Sequence, residues 1–237
     1  MSAPPDSPWV YVHSSGLGPR QFSRTVNAQG GHAVTLTGYD SPVEPTTWRW
    51  TQDMDRVIDA IDADTVLFGH SYGGFIALQA AMRRAVRAVI VWEPVVWSVI
   101  RGQQRWQRGE PLVDRSLSQR DWIRGFIDFW NGAGAWEAMA ARHRAPFEHF
   151  GAKVRLEVEA LLTDETSLER WGSLKTPTLV IRGDQTIDEA VACCAGLAKA
   201  LPNATEAVVR GAGHMGPVTA EAEMRALCER WLQTQQR

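Results

Sequence analysis

Apolar residues recur along this chain in two rhythms. Short runs rich in β-branched residues occupy Trp9 to Val12, Ala33 to Leu36, Thr65 to Phe68, Val86 to Trp92, Thr178 to Ile181 and Ala207 to Val209. Each is strand-length and set off by polar or glycine-containing segments. Between them lie stretches at helical spacing: Asp53 to Ile61, with Met54, Val57, Ile58 and Ile61 on one stripe, then Phe75 to Ala81, Ile187 to Leu201 and Ala222 to Leu232. This alternation predicts βαβ units, and hence an α/β fold with a mostly parallel central sheet and helices on both faces.

The segment Val95 to Gly172 breaks the alternation, reading as several helices with no convincing strand. It leaves from the strand that ends at Glu93. Ligands of an open α/β sheet bind beyond the carboxyl ends of its strands, so an insertion departing there would cover the site as a lid. The alternative is an outlying helical subdomain with a core of its own. The expected division is therefore a core of residues 1–94 and 173–237 with a helical cap at 95–172. Glycines near 102–109 and 131–134 mark where a protease would first cut a lid.

Composition narrows the classes of function. The 237 residues are 44% hydrophobic and 22% charged, enough for a sizeable core without staples. A net charge of −2 gives no global field for nucleic acid or an anionic membrane, so a small-molecule substrate is the expected partner. No apolar run approaches the ~20 residues that span a bilayer. The opening MSAPPDSP lacks the features of a secretory signal, which makes the cytoplasm the expected location. Oligomeric state is left open. Cys193, Cys194 and Cys228 have no metal-ligand or redox spacing and read as buried thiols, so no metal site is expected. Eleven tryptophans against three tyrosines is the unusual ratio. Trp92, Trp97, Trp106, Trp122, Trp130, Trp136 and Trp171 fall in one segment, suggesting a local apolar surface to cover. With the arginines of the cap, they suggest apolar pocket walls and a guanidinium for a carboxylate or carbonyl.

Gly69-His70-Ser71-Tyr72-Gly73 matches G-x-S-x-G, between a predicted strand and a predicted helix. That setting is the one a nucleophile elbow requires, with glycines flanking a serine forced into a strained turn. A serine hydroxyl needs a base within hydrogen-bond reach. His214, in Gly211-Ala212-Gly213-His214-Met215-Gly216 after the last predicted strand, is the candidate, although without the elbow it would read as an ordinary loop histidine. The oxyanion formed by serine attack needs two donors: the Tyr72 N–H, and an N–H from His13-Ser14-Ser15-Gly16-Leu17-Gly18, with Ser15 preferred over Ser14. His13 reads as a brace of that loop rather than a base. Trp92, Trp97, Trp130 and Met215 are the candidate substrate-binding residues.

The elbow, the glycine-rich loop and the G-x-G-H histidine stand in the order of the α/β-hydrolase fold, which residues 9–94 and 174–234 resemble. The resemblance implies hydrolysis of an ester, thioester or related acyl bond through an acyl-serine, without a cofactor. The family's usual acid position, in a G-x-x-D pattern after the strand before last, holds Thr186 here. Glu93, at the end of the preceding strand, is the preferred acid, with Asp188 and Asp184 as alternatives. Glu93 could instead pair with an arginine such as Arg101. Two other readings stay open: a lyase, acyltransferase or cyclase built on the same triad, and a non-catalytic ligand-binding member of the fold.

Overall fold

The computed structural model describes residues 8–100, 112 and 114–235. Six strands form one parallel sheet: β1 (Trp9–Val12), β2 (His32–Val34), β3 (Val66–His70), β4 (Ala88–Trp92), β5 (Thr178–Gly183) and β6 (Ala204–Val209), in the order β2-β1-β3-β4-β5-β6. The chain steps outward from β1 to β2 and returns to β3 on the other side. The switch point therefore lies between β1 and β3, where the carboxyl-end loops diverge and leave a crevice.

Period two along the central strands builds two cores. Val10, Val12, Leu67, Val89, Val91 and Val180 face helices α2 (Trp50–Ala60), α3 (Tyr72–Ala81) and α8 (Asp188–Ala200). The alternate residues Trp9, Tyr11, Phe68, Ile90, Trp92 and Ile181 face Phe22, just before α1 (Ser23–Gln29), and the last helix, α10 (Glu221–Thr234), which follows the short α9 (Gly216–Thr219). A strand covered on both faces must be apolar at both parities, which is why β3 and β4 are buried at every position. The outer strands β2 and β6 carry exposed residues instead.

The expected elements are present with shifted ends. Strand β3 runs on to His70 because His70 pairs with Trp92, and α3 starts at Tyr72 rather than Phe75 because the two small glycines fit its first turn. Leu36 is fully buried but off the ladder.

Between β4 and β5 the described chain is helical: α4 (Gln119–Asn131), α5 (Ala135–Ala138), α6 (Ala141–Thr163) and α7 (Leu168–Gly172). Trp122, Trp136 and Trp171 are fully buried there. Their apolar side chains belong to the same continuous cluster as the α2 and α3 face of the sheet, so a separate core is not found among the described residues. Trp106, Arg101 and the glycines at 102–109 lie outside the described residues. No described helix is long and apolar enough to cross a membrane. The three cysteines are buried free thiols, with Cys193 pushed up to about 12 by burial.

Candidate active site

Ser71 sits between β3 and α3 with φ 55° and ψ −120°. A non-glycine residue in that region costs on the order of 1–3 kcal/mol and persists only where the surroundings over-determine it. Here the Ser71 N–H donates to the Trp92 carbonyl at 3.0 Å, and two glycines make room for the turn. A Cβ on Gly73 would collide with the carbonyls of Val12 and His13, and one on Gly69 with the carbonyl of Gly73. Helix α3 begins at the next residue, so its unsatisfied N–H groups and positive dipole end face the serine.

The structure brings Ser71, His214 and Glu93 into one line. His214 Nε2 lies 3.1 Å from Ser71 Oγ, and His214 Nδ1 lies 2.8 Å from Glu93 Oε2. With the carboxylate beside Nδ1, the hydrogen-bond pattern assigns the proton to Nδ1 and leaves the Nε2 lone pair for the serine hydroxyl. Glu93 is also a positive-φ residue, at 41°, and is 1% exposed. A buried carboxylate needs its lone pairs filled. Gly183 N–H donates to Oε1 at 2.9 Å and the Thr186 hydroxyl to Oε2 at 2.8 Å. Thr186, at the position where the resemblance leads one to seek an acid, thus serves a carboxylate from the neighbouring strand end.

The alternative carboxylates have other partners or places. Asp184 accepts from Gly211 N–H at 2.7 Å, tying down the loop that carries His214, and Asp188 opens α8. His214 Nδ1 meets neither of them.

On the other side of Ser71, three consecutive N–H groups are sorted by their partners. Ser14 N–H donates to Gln21 Oε1 at 2.8 Å and Gly16 N–H to the Tyr39 hydroxyl at 2.7 Å. Among the described residues, neither Ser15 N–H nor Tyr72 N–H has a partner. Ser14, the second choice as donor, is therefore occupied. The crevice at Ser71 holds about 20 Å³ and is walled by Ser14, Ser15, Phe126, Trp130, Phe147 and Met215 among others. That is room for about one water. Trp130 stacks on the His214 ring with centroids 4.1 Å apart and an interplanar angle of 17°. Trp97 stacks behind Trp130, at 5.9 Å, and does not line the crevice.

Trp92 corrects the expectation placed on it. It has the parity of Ala88 and Ile90 on β4, so it packs into the core on the α10 face, with no exposure and no share in the crevice wall. The sequence reading also missed Phe126 and Phe147; as apolar residues of a helical stretch, they gave no signal of their own.

Two polar networks behind the crevice were missed as well. His70 Nε2 donates to the His214 carbonyl at 2.9 Å while Gln21 Nε2 donates to His70 Nδ1 at 2.7 Å. Burial first, then His214, hold the His70 pKa well below the ordinary imidazole value, so it is a neutral strut under the histidine loop. His13 is neutral too, lowered by burial to about 3, and braces its own loop through Nδ1 to the Ser14 carbonyl at 2.9 Å.

The second network joins α6 to the core. Lys153 Nζ bonds Asp53 at 2.9 Å and Glu157 at 2.7 Å, with all three side chains at most 4% exposed. The Tyr72 hydroxyl donates to Asp53 at 2.7 Å, and Tyr39, which holds Gly16, donates to Glu157 at 3.1 Å. Both loops that flank the serine are thereby fixed to one buried cation. Lys153→Met leaves two buried carboxylates without it, and an uncompensated buried charge costs ~3–5 kcal/mol. Urea unfolding of that variant should show a loss of this size, and a wild-type midpoint would contradict the account.

Residues 7–227 match the alpha/beta hydrolase family, and the chain belongs to it. Among solved structures, it is similar to MenH from S. aureus, with 17% identity, a TM-score of 0.69, and coverage of 100% of this chain and 98% of that one. It is also similar to the enol-lactonase from Burkholderia xenovorans LB400, at 18% identity and TM-score 0.69, covering 96% and 93% of the two chains. A third similar structure is Est816, described as an N-acyl homoserine lactone degrading enzyme, at 19% identity and TM-score 0.72, covering 97% and 94%. Among curated proteins, none matches this sequence. At these identities the likeness to solved structures carries the fold. Among the described residues, no group of three or more His, Cys, Asp or Glu could hold a metal ion.

Proposed function

We propose that this protein is a serine hydrolase that cleaves an ester, thioester or related acyl bond of a small, largely apolar substrate through an acyl-serine intermediate. The observation that carries the reading is the unbroken line Ser71 Oγ, His214 Nε2, His214 Nδ1 and Glu93 Oε2, at 3.1 and 2.8 Å, ending at a strained elbow. Ser71 Oγ attacks the acyl carbon as His214 Nε2 takes its proton. Glu93 holds the imidazolium that results. Tyr72 N–H and Ser15 N–H receive the oxyanion of the tetrahedral intermediate. Collapse expels the leaving group, which takes the proton from His214. Water then gives a proton to the same nitrogen and attacks the acyl carbon, and a second collapse frees the acid and restores the serine hydroxyl.

The helices between β4 and β5 act as the lid of this site. With room for about one water at Ser71, an acyl group enters only if Trp130 or Phe147 moves. Because Trp130 lies on the His214 ring, its fluorescence should change when an acyl inhibitor binds. A fluorophosphonate probe followed by peptide mapping tests the central claim: labelling at Ser71 supports an enzyme, and folded protein that stays unlabelled supports a non-catalytic binder. A panel of p-nitrophenyl esters of rising chain length then measures activity and pocket size together, with short acyl chains expected to be turned over best.

A further inference from the structure

The crevice at Ser71 shares Phe147 and Met215 with a much larger cleft of about 640 Å³. Three guanidinium groups line that cleft. Arg20 and Arg24 come from the segment after the Ser15 loop, and Arg142 comes from the first turn of α6. Among the described residues, none of the three has a carboxylate within ion-pair distance; Arg142 Nε meets only His143 Nε2, at 3.2 Å. The one acidic residue of the lining, Glu221, is already engaged by Arg225 at 3.2 Å.

Among the described residues, arginines without a carboxylate partner also occur elsewhere on the surface, as at Arg83, Arg87 and Arg210; what is particular here is that three exposed ones converge on one concavity in a chain of net charge −2. Arg142 sits moreover at the start of a 23-residue helix whose first turn contains no acidic residue. A cation there is opposed by the helix dipole rather than helped by it. Three unpaired positive charges around one concave surface, with Leu17, Phe147 and Met215 as apolar walls, form a receptor for an anion on an apolar stem.

We infer that the substrate of this site carries an anionic group, a carboxylate or a phosphate, which docks against Arg20, Arg24 and Arg142 while its acyl bond reaches Ser71 past Phe147 and Met215. The inference rests on the serine-hydrolase reading and refines it, by adding an anionic group to the small, largely apolar substrate proposed above. Arg20 adjoins Gln21, whose amide holds Ser14 N–H and His70, so the docking cleft and the oxyanion loop share a wall. The anion can belong to the acyl part or to the leaving group, because the cleft meets the crevice at its mouth.

Two pairs of esters separate these sources. The first compares p-nitrophenyl hydrogen glutarate with p-nitrophenyl pentanoate, and the second 4-butyryloxybenzoate with its methyl ester. In at least one pair, wild-type kcat/KM should favour the anionic member by roughly tenfold or more, mainly through KM, and the advantage should shrink as added salt shortens the screening length. The preferred pair identifies the part of the substrate that carries the charge. Arg20→Gln, Arg24→Gln and Arg142→Gln combined should bring that ratio close to one. Arg87→Gln, before β4 at the opposite end of the sheet, should leave it as in wild type. Absence of an anionic preference in both pairs overturns the inference, as does a ratio untouched by the triple change. Calorimetric titration with glutarate and with pentanoate gives a readout independent of turnover. If no ester is cleaved and fluorophosphonate does not label Ser71, the hydrolase reading fails, and glutarate binding that the triple change abolishes still supports the anion cleft. Equal binding of the two acids speaks against it.

Discussion

Ser71→Ala is expected to lower kcat on a reactive ester by a factor on the order of 10³ to 10⁶ while leaving the protein folded. The hydroxyl supplies the atom that becomes acylated, so no neighbour can replace it. The turn is anchored by other atoms: Ser71 N–H to the Trp92 carbonyl, and Gly74 N–H to the Ser71 carbonyl at 2.9 Å. Alanine meets the same backbone restriction as serine at φ 55° and keeps both bonds. Circular dichroism and the urea midpoint should therefore match wild type. Residual hydrolysis from the oxyanion donors and binding alone would remain measurable. Wild-type turnover in this variant would sink the proposed mechanism, because the acyl-enzyme cannot then involve Ser71.

Glu93→Gln should cost on the order of 10² to 10⁴ in kcat/KM on the same ester. The substitution is nearly isosteric and keeps an oxygen for Gly183 N–H or the Thr186 hydroxyl, so the fold is retained. What changes is the proton on the imidazole. A glutamine amide donating to His214 Nδ1 moves the ring proton to Nε2, and that nitrogen can then no longer accept from Ser71. Asp184→Asn and Asp188→Asn, measured beside it, should stay within about tenfold of wild type. Asp184 can still accept from Gly211 N–H as an amide. A collapse of either aspartate variant with a silent Glu93→Gln would show that the acid has been assigned to the wrong strand. Three silent variants would make Ser71 and His214 a dyad.

A good part of this is legible in the amino-acid sequence itself. Six short runs alternating with helical stretches specify a parallel sheet because only buried, two-sided strands tolerate such uninterrupted apolarity. The elbow was legible because its chemistry is local: five consecutive residues contain the nucleophile, the glycines that admit the turn and the first oxyanion donor. Ser15 could be preferred to Ser14 but not separated from it, since the difference lies in Gln21 and Tyr39, which reach in from elsewhere.

The tertiary structure decided what depends on distances between remote segments. Strand register is the clearest case: pairing of His70 with Trp92 puts the next residues, Ser71 and Glu93, side by side, and nothing in either strand's sequence fixes that offset. Glu93 could therefore be preferred on paper to Asp188 and Asp184 but not fixed, and it is Glu93 that lies on His214 in the fold. Tryptophan count could not tell Trp130, stacked on His214, from Trp92, whose place on β4 turns it into the core. Lys153 and Asp53 stand 100 positions apart and meet only because α6 folds back over α2, burying charges that a sequence can only be read as exposing. Local chemistry is written in neighbouring residues, whereas the partners of a buried charge are set by packing, and packing is a property of the whole chain.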